Sequence, residues 1–224
     1  MNVIDELFQG FIVSCQAEEN SPLDESLILS GMAAAAVKGG AIGIRANMPR
    51  NIRSIKKRTG ALVIGIYKKK YKNSSVYITP TFHEAKEVID AGADMIAIDC
   101  TDRERPEENL ETLIKKIRSY SDVPILADIA TFKEAKNAYN LGVEAVATTL
   151  LSYTKKTENE SAPDFNLVQE LSNEMPIPVF VEGHIRSPEQ AFQAIQAGAY
   201  AVVVGTAITS ISWSTSQYVR AIKN

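Results

Sequence analysis

A repeated unit organises the chain: a helical stretch, a glycine and then a short apolar run. Its four copies read AAAAVKGGAIGI (33–44), EVIDAGADMIAI (87–98), NAYNLGVEAVAT (137–148) and AFQAIQAGAYAVVV (191–204). A glycine just past a helix can take the left-handed conformation that ends the helix, and the apolar run that follows has the length of a strand. Each copy therefore predicts a helix joined directly to a strand.

The strand candidates are apolar at consecutive positions instead of alternating ones, which is typical of parallel strands covered on both faces. With similar runs elsewhere in the chain, we predict eight strands, at 11–15, 41–45, 62–66, 95–99, 124–128, 144–148, 177–181 and 201–205. We predict helices near 22–38, 50–58, 81–91, 107–119, 132–141, 164–174, 188–197 and 215–223. Strands and helices therefore alternate along the chain.

Eight strand–helix units in 224 residues give about 28 residues per unit. That spacing is typical of a compact (β/α)8 TIM barrel, whose usual length is about 250 residues. An open doubly wound sheet is the alternative, but it normally carries a glycine-rich dinucleotide loop after its first strand, and residues 11–20 (FIVSCQAEEN) contain no glycine. We predict an α/β protein with a single (β/α)8 barrel domain over residues 1–224.

Composition and charge narrow the possible classes of function. The 24 basic and 27 acidic residues give a net charge of −3, so no overall field attracts nucleic acid or an anionic membrane. The longest apolar stretch, 199–208, is much shorter than the roughly 20 residues of a membrane helix, and residues 1–9 lack the pattern of a signal peptide. We expect a cytoplasmic protein that binds neither nucleic acid nor membranes.

The cysteines and histidines are too few and too scattered for the common metal and redox motifs. Cys15 lies 85 positions from Cys100, and His83 lies 101 positions from His184. These spacings do not match a zinc knuckle, a CxxC redox pair or an HExxH site, and they weigh against a Ser-His-Asp relay. We therefore expect no metal site.

Polar residues stand where most of the predicted strands end. In a (β/α)8 barrel all the carboxyl ends of the strands face one rim, where the chemistry of such enzymes is located. The residues at or just after the strand ends are Gln16, Arg45, Lys68, Asp99, Asp128, Thr148, Thr149, Glu182, Gly205 and Thr206. Any one of them alone fits a solvated loop start, but six charged or amide groups at one rim indicate a polar site.

Lys68 and Glu182 are the candidates for acid–base chemistry. Of the run Lys68-Lys69-Lys70, Lys68 lies nearest to its strand, where partial burial and the charge of Arg45 would lower its pKa. The other two lysines fit a solvated face. Glu182 follows its strand directly and serves either as an acid/base catalyst or as an ion-pair partner of Arg45 or Lys68.

Three further positions have less specific interpretations. Asp128 fits direct chemistry, orientation of a neighbouring lysine, or capping of the helix that begins at Thr131. Gly183 and Gly205 lie after the seventh and eighth strands, in the loops that commonly hold a phosphate in such barrels. A glycine in that position is also common in plain turns.

Eight segments fall on or beside the predicted strand ends: VSCQA (13–17), GGAIGIRAN (39–47), IGIYKKKY (64–71), IDCTDRERP (98–106), LADIAT (126–131), TTLLSYT (148–154), EGHIRSPEQA (182–191) and VVGTAIT (203–209). Together they resemble the N-acylglucosamine-6-phosphate 2-epimerase family. The resemblance implies a cytoplasmic, cofactor-free barrel enzyme, typically a homodimer. It also implies that the substrates are phosphorylated amino sugars, N-acetylmannosamine 6-phosphate and N-acetylglucosamine 6-phosphate, interconverted in sialic acid catabolism.

The resemblance also assigns residues. It makes Lys68 and Glu182 the catalytic residues. The residues expected to bind the substrate are Gln16, Arg45, Asp128, Gly183, Gly205 and Thr206. One position departs from the family pattern, because Ser210 stands where an arginine is expected to hold the phosphate. Another cation, such as Arg186, would have to take its place.

Two other functions are compatible with the sequence. A different phosphosugar epimerase or isomerase on the same barrel, such as a metal-dependent pentulose-phosphate 3-epimerase, needs histidines at strand ends, and only His184 lies near one. A non-catalytic, sugar-phosphate-sensing paralogue would keep the pocket, but it has no need of a proton base such as Lys68. Both considerations favour the 2-epimerase.

Overall fold

The computed structural model describes residues 3–17 and 21–223. Eight parallel strands close into a barrel in chain order, and the last strand pairs with the first. The strands are β1 (Gly10–Cys15), β2 (Gly43–Asn47), β3 (Leu62–Ile66), β4 (Met95–Asp99), β5 (Ile125–Asp128), β6 (Ala145–Ala147), β7 (Val179–Glu182) and β8 (Ala201–Val204). The predicted (β/α)8 TIM barrel is therefore confirmed.

Helices alternate with the strands. They are α1 (Val3–Glu6), α2 (Ser26–Lys38), α3 (Pro49–Thr59), α4 (Phe82–Asp90), α5 (Leu110–Tyr120), α6 (Phe132–Asn140), α7 (Phe165–Glu174), α8 (Pro188–Gln196), α9 (Thr206–Thr209) and α10 (Ile211–Lys223). The eight predicted helices are all present, with ends that differ by up to four residues. The pattern did not predict α1 or α9, because four residues are too few to show a helical period.

The strands bury both of their faces. Inward-facing residues such as Ile12, Ile64 and Phe180 fill the barrel, together with Leu7, which precedes β1. Outward-facing residues such as Ile44 pack against the surrounding helices. This double burial explains why the strand sequences are apolar at consecutive positions.

Strand β2 lies two residues further along the chain than predicted. The prediction was 41–45, but the amide of Ala41 still donates to the carbonyl of Ala36 at the end of α2. The strand continues instead to Asn47, which pairs with Ile66 of β3. Arg45 consequently lies within the strand and inside the barrel, where it is 1% exposed.

Among residues 3–17 and 21–223, none of the helices combines the length and the apolar character that crossing a membrane requires.

Candidate active site

A pocket of about 340 Å³ opens at the carboxyl ends of the strands. Seven of the eight predicted site residues line it, namely Gln16, Arg45, Lys68, Glu182, Gly183, Gly205 and Thr206. They come from β1, β2, β3, β7 and β8 or from the loops that follow these strands, so the closure of the barrel brings them together. The volume fits a small-molecule ligand.

Arg45 is the buried centre of this site. Its neighbours in β2, Ile44 and Ala46, face the outer helices, so the alternation of the strand turns the arginine inward. Its Nη1 and Nη2 donate to the two carboxylate oxygens of Asp128 at 3.0 and 2.6 Å. Nη1 also lies 2.7 Å from Oε2 of Glu182. One guanidinium therefore joins three strands, β2, β5 and β7.

The charge on Arg45 is stabilised by its partners. Burial opposes the charged form, but the carboxylates of Asp128 and Glu182 outweigh that effect and raise the pKa of Arg45. A guanidinium in this position is a permanent positive charge.

Asp128, the eighth predicted residue, lies behind the pocket wall. It is fully buried and does not line the pocket. Besides Arg45, it accepts a hydrogen bond of 2.6 Å from the hydroxyl of Thr149. The helix-capping interpretation is wrong, because the side chain of Thr131 caps α6 in a capping box with Glu134. Asp128 therefore reaches the pocket through Arg45 and Thr149.

Glu182 titrates near neutral pH. Burial is the main cause and raises the pKa of Glu182 to about 7, although the charge of Arg45 acts in the opposite direction. The hydroxyl of Thr149 lies 3.4 Å from its carboxylate and completes its polar surroundings. A carboxyl group with this pKa can hold or release a proton under physiological conditions.

A short hairpin after β3 positions Lys68. Its backbone pairs with Ile78 in an antiparallel bridge, and its amide donates to the side-chain oxygen of Asn47 at 2.8 Å. The sequence pattern did not reveal this hairpin, because its two arms are too short to show a strand period. It brings Lys68 to the pocket wall opposite the loop that follows β7.

Two effects lower the pKa of Lys68. Burial against the pocket wall is the larger one, and repulsion from Arg45 is the second, while the nearby carboxylate of Glu182 opposes both. Solvent still reaches the side chain through the open pocket. The burial effect therefore increases when a ligand displaces that solvent, whereas the charge of Arg45 acts at all times.

Its neighbour Lys69 has a different environment. Its ammonium group lies 2.8 Å from the carboxylate of Glu84, which is fully buried in the first turn of α4. The side chain of Lys69 is 40% exposed, in line with the solvated face expected for it, and the ion pair also links the hairpin to α4. Lys70 is exposed, as expected.

Several pocket residues were not predicted as site residues. They are Ser14, Tyr77, Tyr153 and His184. Thr149, named above only as a strand-end residue, and Arg186, named only as a substitute for the missing arginine, also line the pocket. Burial raises the pKa of Tyr77 to about 12, so its hydroxyl keeps its proton. Tyr77 and Tyr153 lie several residues beyond the ends of β3 and β6 in the sequence, so their positions did not indicate a place at the rim. Asp99, a strand-end residue, instead forms an ion pair with Arg103 at 2.5 Å and lies outside this pocket.

Three buried polar atoms in the described part of the chain have no hydrogen-bond partner, and all belong to pocket residues. They are Oε1 of Gln16, Nε of Arg45 and Nε2 of His184. A buried polar group without a partner costs about 1–3 kcal/mol. Their placement around one cavity therefore indicates a polar ligand that supplies the missing partners.

The loops after β7 and β8 form one side of the pocket. Gly183 has a φ of 101°, a conformation that favours glycine, and His184 follows with a φ of 57°. Ser210 has a structural role here, since its hydroxyl accepts the amide of Trp213 at 3.2 Å in the first turn of α10. Ser210, at the position where the resemblance leads us to expect a phosphate-binding arginine, therefore caps a helix in this chain.

Within the described ranges, no group of three or more His, Cys, Asp or Glu side chains is arranged to hold a metal ion. His184 lies against the ring of Tyr153 at 4.8 Å between centroids. His83 is exposed on α4. The two histidines therefore belong to different parts of the molecule.

The chain is similar to known proteins over nearly its whole length. Residues 29–224 match the family described as "Putative N-acetylmannosamine-6-phosphate epimerase". Two relatives bear the name "Putative N-acetylmannosamine-6-phosphate 2-epimerase". The one from Caldanaerobacter subterraneus is 43% identical, with 100% of this chain and 95% of the relative covered. The one from Clostridioides difficile is also 43% identical, with 99% of both chains covered.

Similarity to solved structures agrees with the family match. The N-acetylmannosamine-6-phosphate 2-epimerase from Clostridium perfringens is 39% identical and superposes with a TM-score of 0.95, covering 99% of this chain and 96% of that one. Thiamine phosphate pyrophosphorylase from Pyrococcus furiosus, 15% identical with a TM-score of 0.62, covers 93% of this chain and 90% of its own, and shares the fold alone. Sequence, fold and family match agree, and the chain belongs to the N-acetylmannosamine-6-phosphate epimerase family.

Proposed function

We propose that this protein is an epimerase that interconverts N-acetylmannosamine 6-phosphate and N-acetylglucosamine 6-phosphate, in the catabolism of amino sugars such as sialic acid. The observation that carries the proposal is the pairing of Lys68 and Glu182 at one pocket, each with a pKa moved toward neutrality. Membership of the family and the names of the relatives support the choice of substrate.

Inversion at carbon 2 requires an acidic hydrogen on that carbon. The closed sugar ring offers none, so the ring first opens to the aldehyde. The carbonyl group then allows a base to remove the proton from carbon 2, and the electron pair moves to the carbonyl oxygen to give an enediol-like intermediate. A proton delivered to the opposite face of carbon 2 reforms the carbonyl and gives the epimer.

Lys68 is the base in this scheme and Glu182 is the acid. The lowered pKa of Lys68 increases the fraction of free amine, and the raised pKa of Glu182 increases the fraction of carboxylic acid. Both changes favour proton transfer near neutral pH. Glu182 can also assist ring opening, because that step too requires a proton to reach an oxygen.

The remaining site residues bind the substrate and orient it for the reaction. The permanent charge of Arg45 stabilises the negative charge that develops on the carbonyl oxygen. Asp128 acts as a positioning residue, since it fixes the guanidinium with two hydrogen bonds. Gln16, whose Oε1 lacks a partner, accepts a hydrogen bond from a sugar hydroxyl, while Gly183 and Gly205 allow the phosphate to approach the backbone.

We further propose a cytoplasmic homodimer in which each chain forms one domain. Helix α10 buries none of its side chains within its own chain, and it exposes Ile211, Tyr218, Val219 and Ile222. An apolar surface of this kind is typical of an interface between protein chains. A cytoplasmic location fits a charged sugar phosphate, which does not cross membranes by itself.

The first prediction tests the reaction itself. Purified protein incubated with N-acetylmannosamine 6-phosphate in deuterated water, without added metal or nucleotide, should form the epimer with deuterium at carbon 2, because the proton removed there exchanges with solvent. Proton NMR of the sugar measures both conversion and exchange. Product that fully retains the original hydrogen would contradict solvent-exchanging acid–base chemistry, and no product at all would refute the epimerase.

The second prediction concerns the lysine run. Lys68→Ala should lower kcat by about 10²- to 10⁴-fold, the contribution of a positioned acid or base, while leaving the fold intact. Lys70→Ala removes the same charge from an exposed position nearby and should keep near wild-type activity. Steady-state kinetics and circular dichroism of the two variants make the comparison. Equal losses in both would contradict a specific role for Lys68.

The third prediction concerns pH. Low pH protonates Lys68 and removes the base, whereas high pH ionises Glu182 and removes the acid, so kcat/KM should be bell-shaped. One limb should lie near pH 7, because burial raises the pKa of Glu182 to about 7. Glu182→Gln should lose about 10²- to 10⁴-fold in rate, and its residual activity should lack that limb. If the pH profile of Glu182→Gln still shows a limb near pH 7, that limb belongs to another group and not to Glu182.

A further inference from the structure

The positive charges around the pocket are not equivalent. Arg45 is neutralised by Asp128 and Glu182, and the pKa of Lys68 is lowered. The third pocket cation, Arg186, has no carboxylate within ion-pair distance in the described part of the chain. The side of the pocket after β7 therefore carries an uncompensated positive charge.

Arg186 is held in place by two contacts. Its guanidinium carbon lies 4.6 Å from the ring centroid of Trp213 in the first turn of α10, a cation–π arrangement. Its amide donates to the side-chain oxygen of Gln190 at 2.7 Å, which fixes the start of α8. These contacts hold the arginine on the pocket wall and leave its guanidinium donors available, since no group among the described residues accepts a hydrogen bond from them.

Topology places this charge across the pocket from Lys68. Strands β3 and β7 lie four positions apart in the ring of eight, on opposite sides of the barrel. In the proposed substrate, carbon 2 and the phosphate on carbon 6 lie at opposite ends of the sugar. A substrate with carbon 2 near Lys68 thus extends its phosphate toward the loop that contains Arg186.

Two side chains near Arg186, those of His184 and Ser210, are neutral. Burial, assisted by the charge of Arg186, lowers the pKa of His184, so its imidazole is neutral at physiological pH. Its buried Nε2 has no partner within the described protein and is available for a hydrogen bond. Ser210 is neutral and caps α10.

We propose that Arg186, held against Trp213, is the residue that binds the substrate's phosphate group and selects phosphorylated over unphosphorylated sugar. This inference rests on the proposed function for the identity of the substrate. The charge that the family pattern places after β8 is supplied here from the loop after β7, and the last helix contributes through the aromatic ring that supports the arginine.

Binding of inorganic phosphate, measured by isothermal titration calorimetry, tests the proposal without any turnover. Arg186→Ala should weaken phosphate binding about ten-fold or more, the usual effect of a lost hydrogen bond to a charged group. Arg53→Ala removes an exposed arginine of α3, remote from Trp213 in the chain, and should bind phosphate as the wild type does. Trp213→Leu, which keeps apolar contact but loses the ring face, should weaken binding by a smaller factor.

Trp213 is the single tryptophan of the chain, so tryptophan fluorescence reports directly on the surroundings of Arg186. Phosphate should change the fluorescence of the wild type and of Arg53→Ala with the midpoint found by calorimetry. Equal phosphate affinity in Arg186→Ala and the wild type, or no measurable phosphate binding by the wild type, would overturn the proposal.

Kinetics separates this inference from the proposed function. Arg186→Ala should raise KM for the phosphorylated sugar about ten-fold or more and change kcat less than about two-fold, because the phosphate is remote from carbon 2. A wild type that binds phosphate through Arg186 but does not epimerise supports the phosphate site and refutes the reaction. A wild type that epimerises with a KM independent of Arg186 supports the reaction and refutes the phosphate site.

Discussion

The guanidinium of Arg45 is the charge on which the site depends. A buried cation without partners is strongly unfavourable, so its position requires the carboxylates of Asp128 and Glu182, which bind it at 2.6 and 2.7 Å. The same charge acts on Lys68 and lowers its pKa. One residue inside the barrel therefore fixes the geometry of the carboxylates and helps to set the protonation of the lysine.

In the proposed mechanism, the charges of this group explain how an acid and a base can coexist. Arg45 forms an ion pair with Asp128, and the proposed base Lys68 and acid Glu182 then hold one proton between them. With the proton on either group, the total charge of the four side chains is the same. Moving the proton from lysine to carboxylate therefore creates no net charge in the buried site, and burial favours the neutral forms of both groups.

The sequence was sufficient to predict the barrel, and seven of the eight site residues predicted from it line the pocket, because strand ends of a closed parallel barrel must meet at one rim. It was not sufficient where position depends on tertiary contacts. The inward burial of Arg45 follows from the shifted bounds of β2, and the place of Lys68 depends on a hairpin pairing with Ile78. The support of Arg186 by Trp213 joins the loop after β7 to helix α10, which no local pattern reveals.

The proposed acid–base chemistry depends on a lowered pKa of Lys68, the lysine next to Arg45. An NMR titration of the lysine side chains with isotope-labelled lysine measures this pKa, and Lys68→Arg identifies the signal of Lys68 by its loss. Lys68 should titrate below 10.5, the ordinary value for a lysine, in the folded protein. A Lys68 signal that titrates at or above that value, together with the surface lysines, would contradict it.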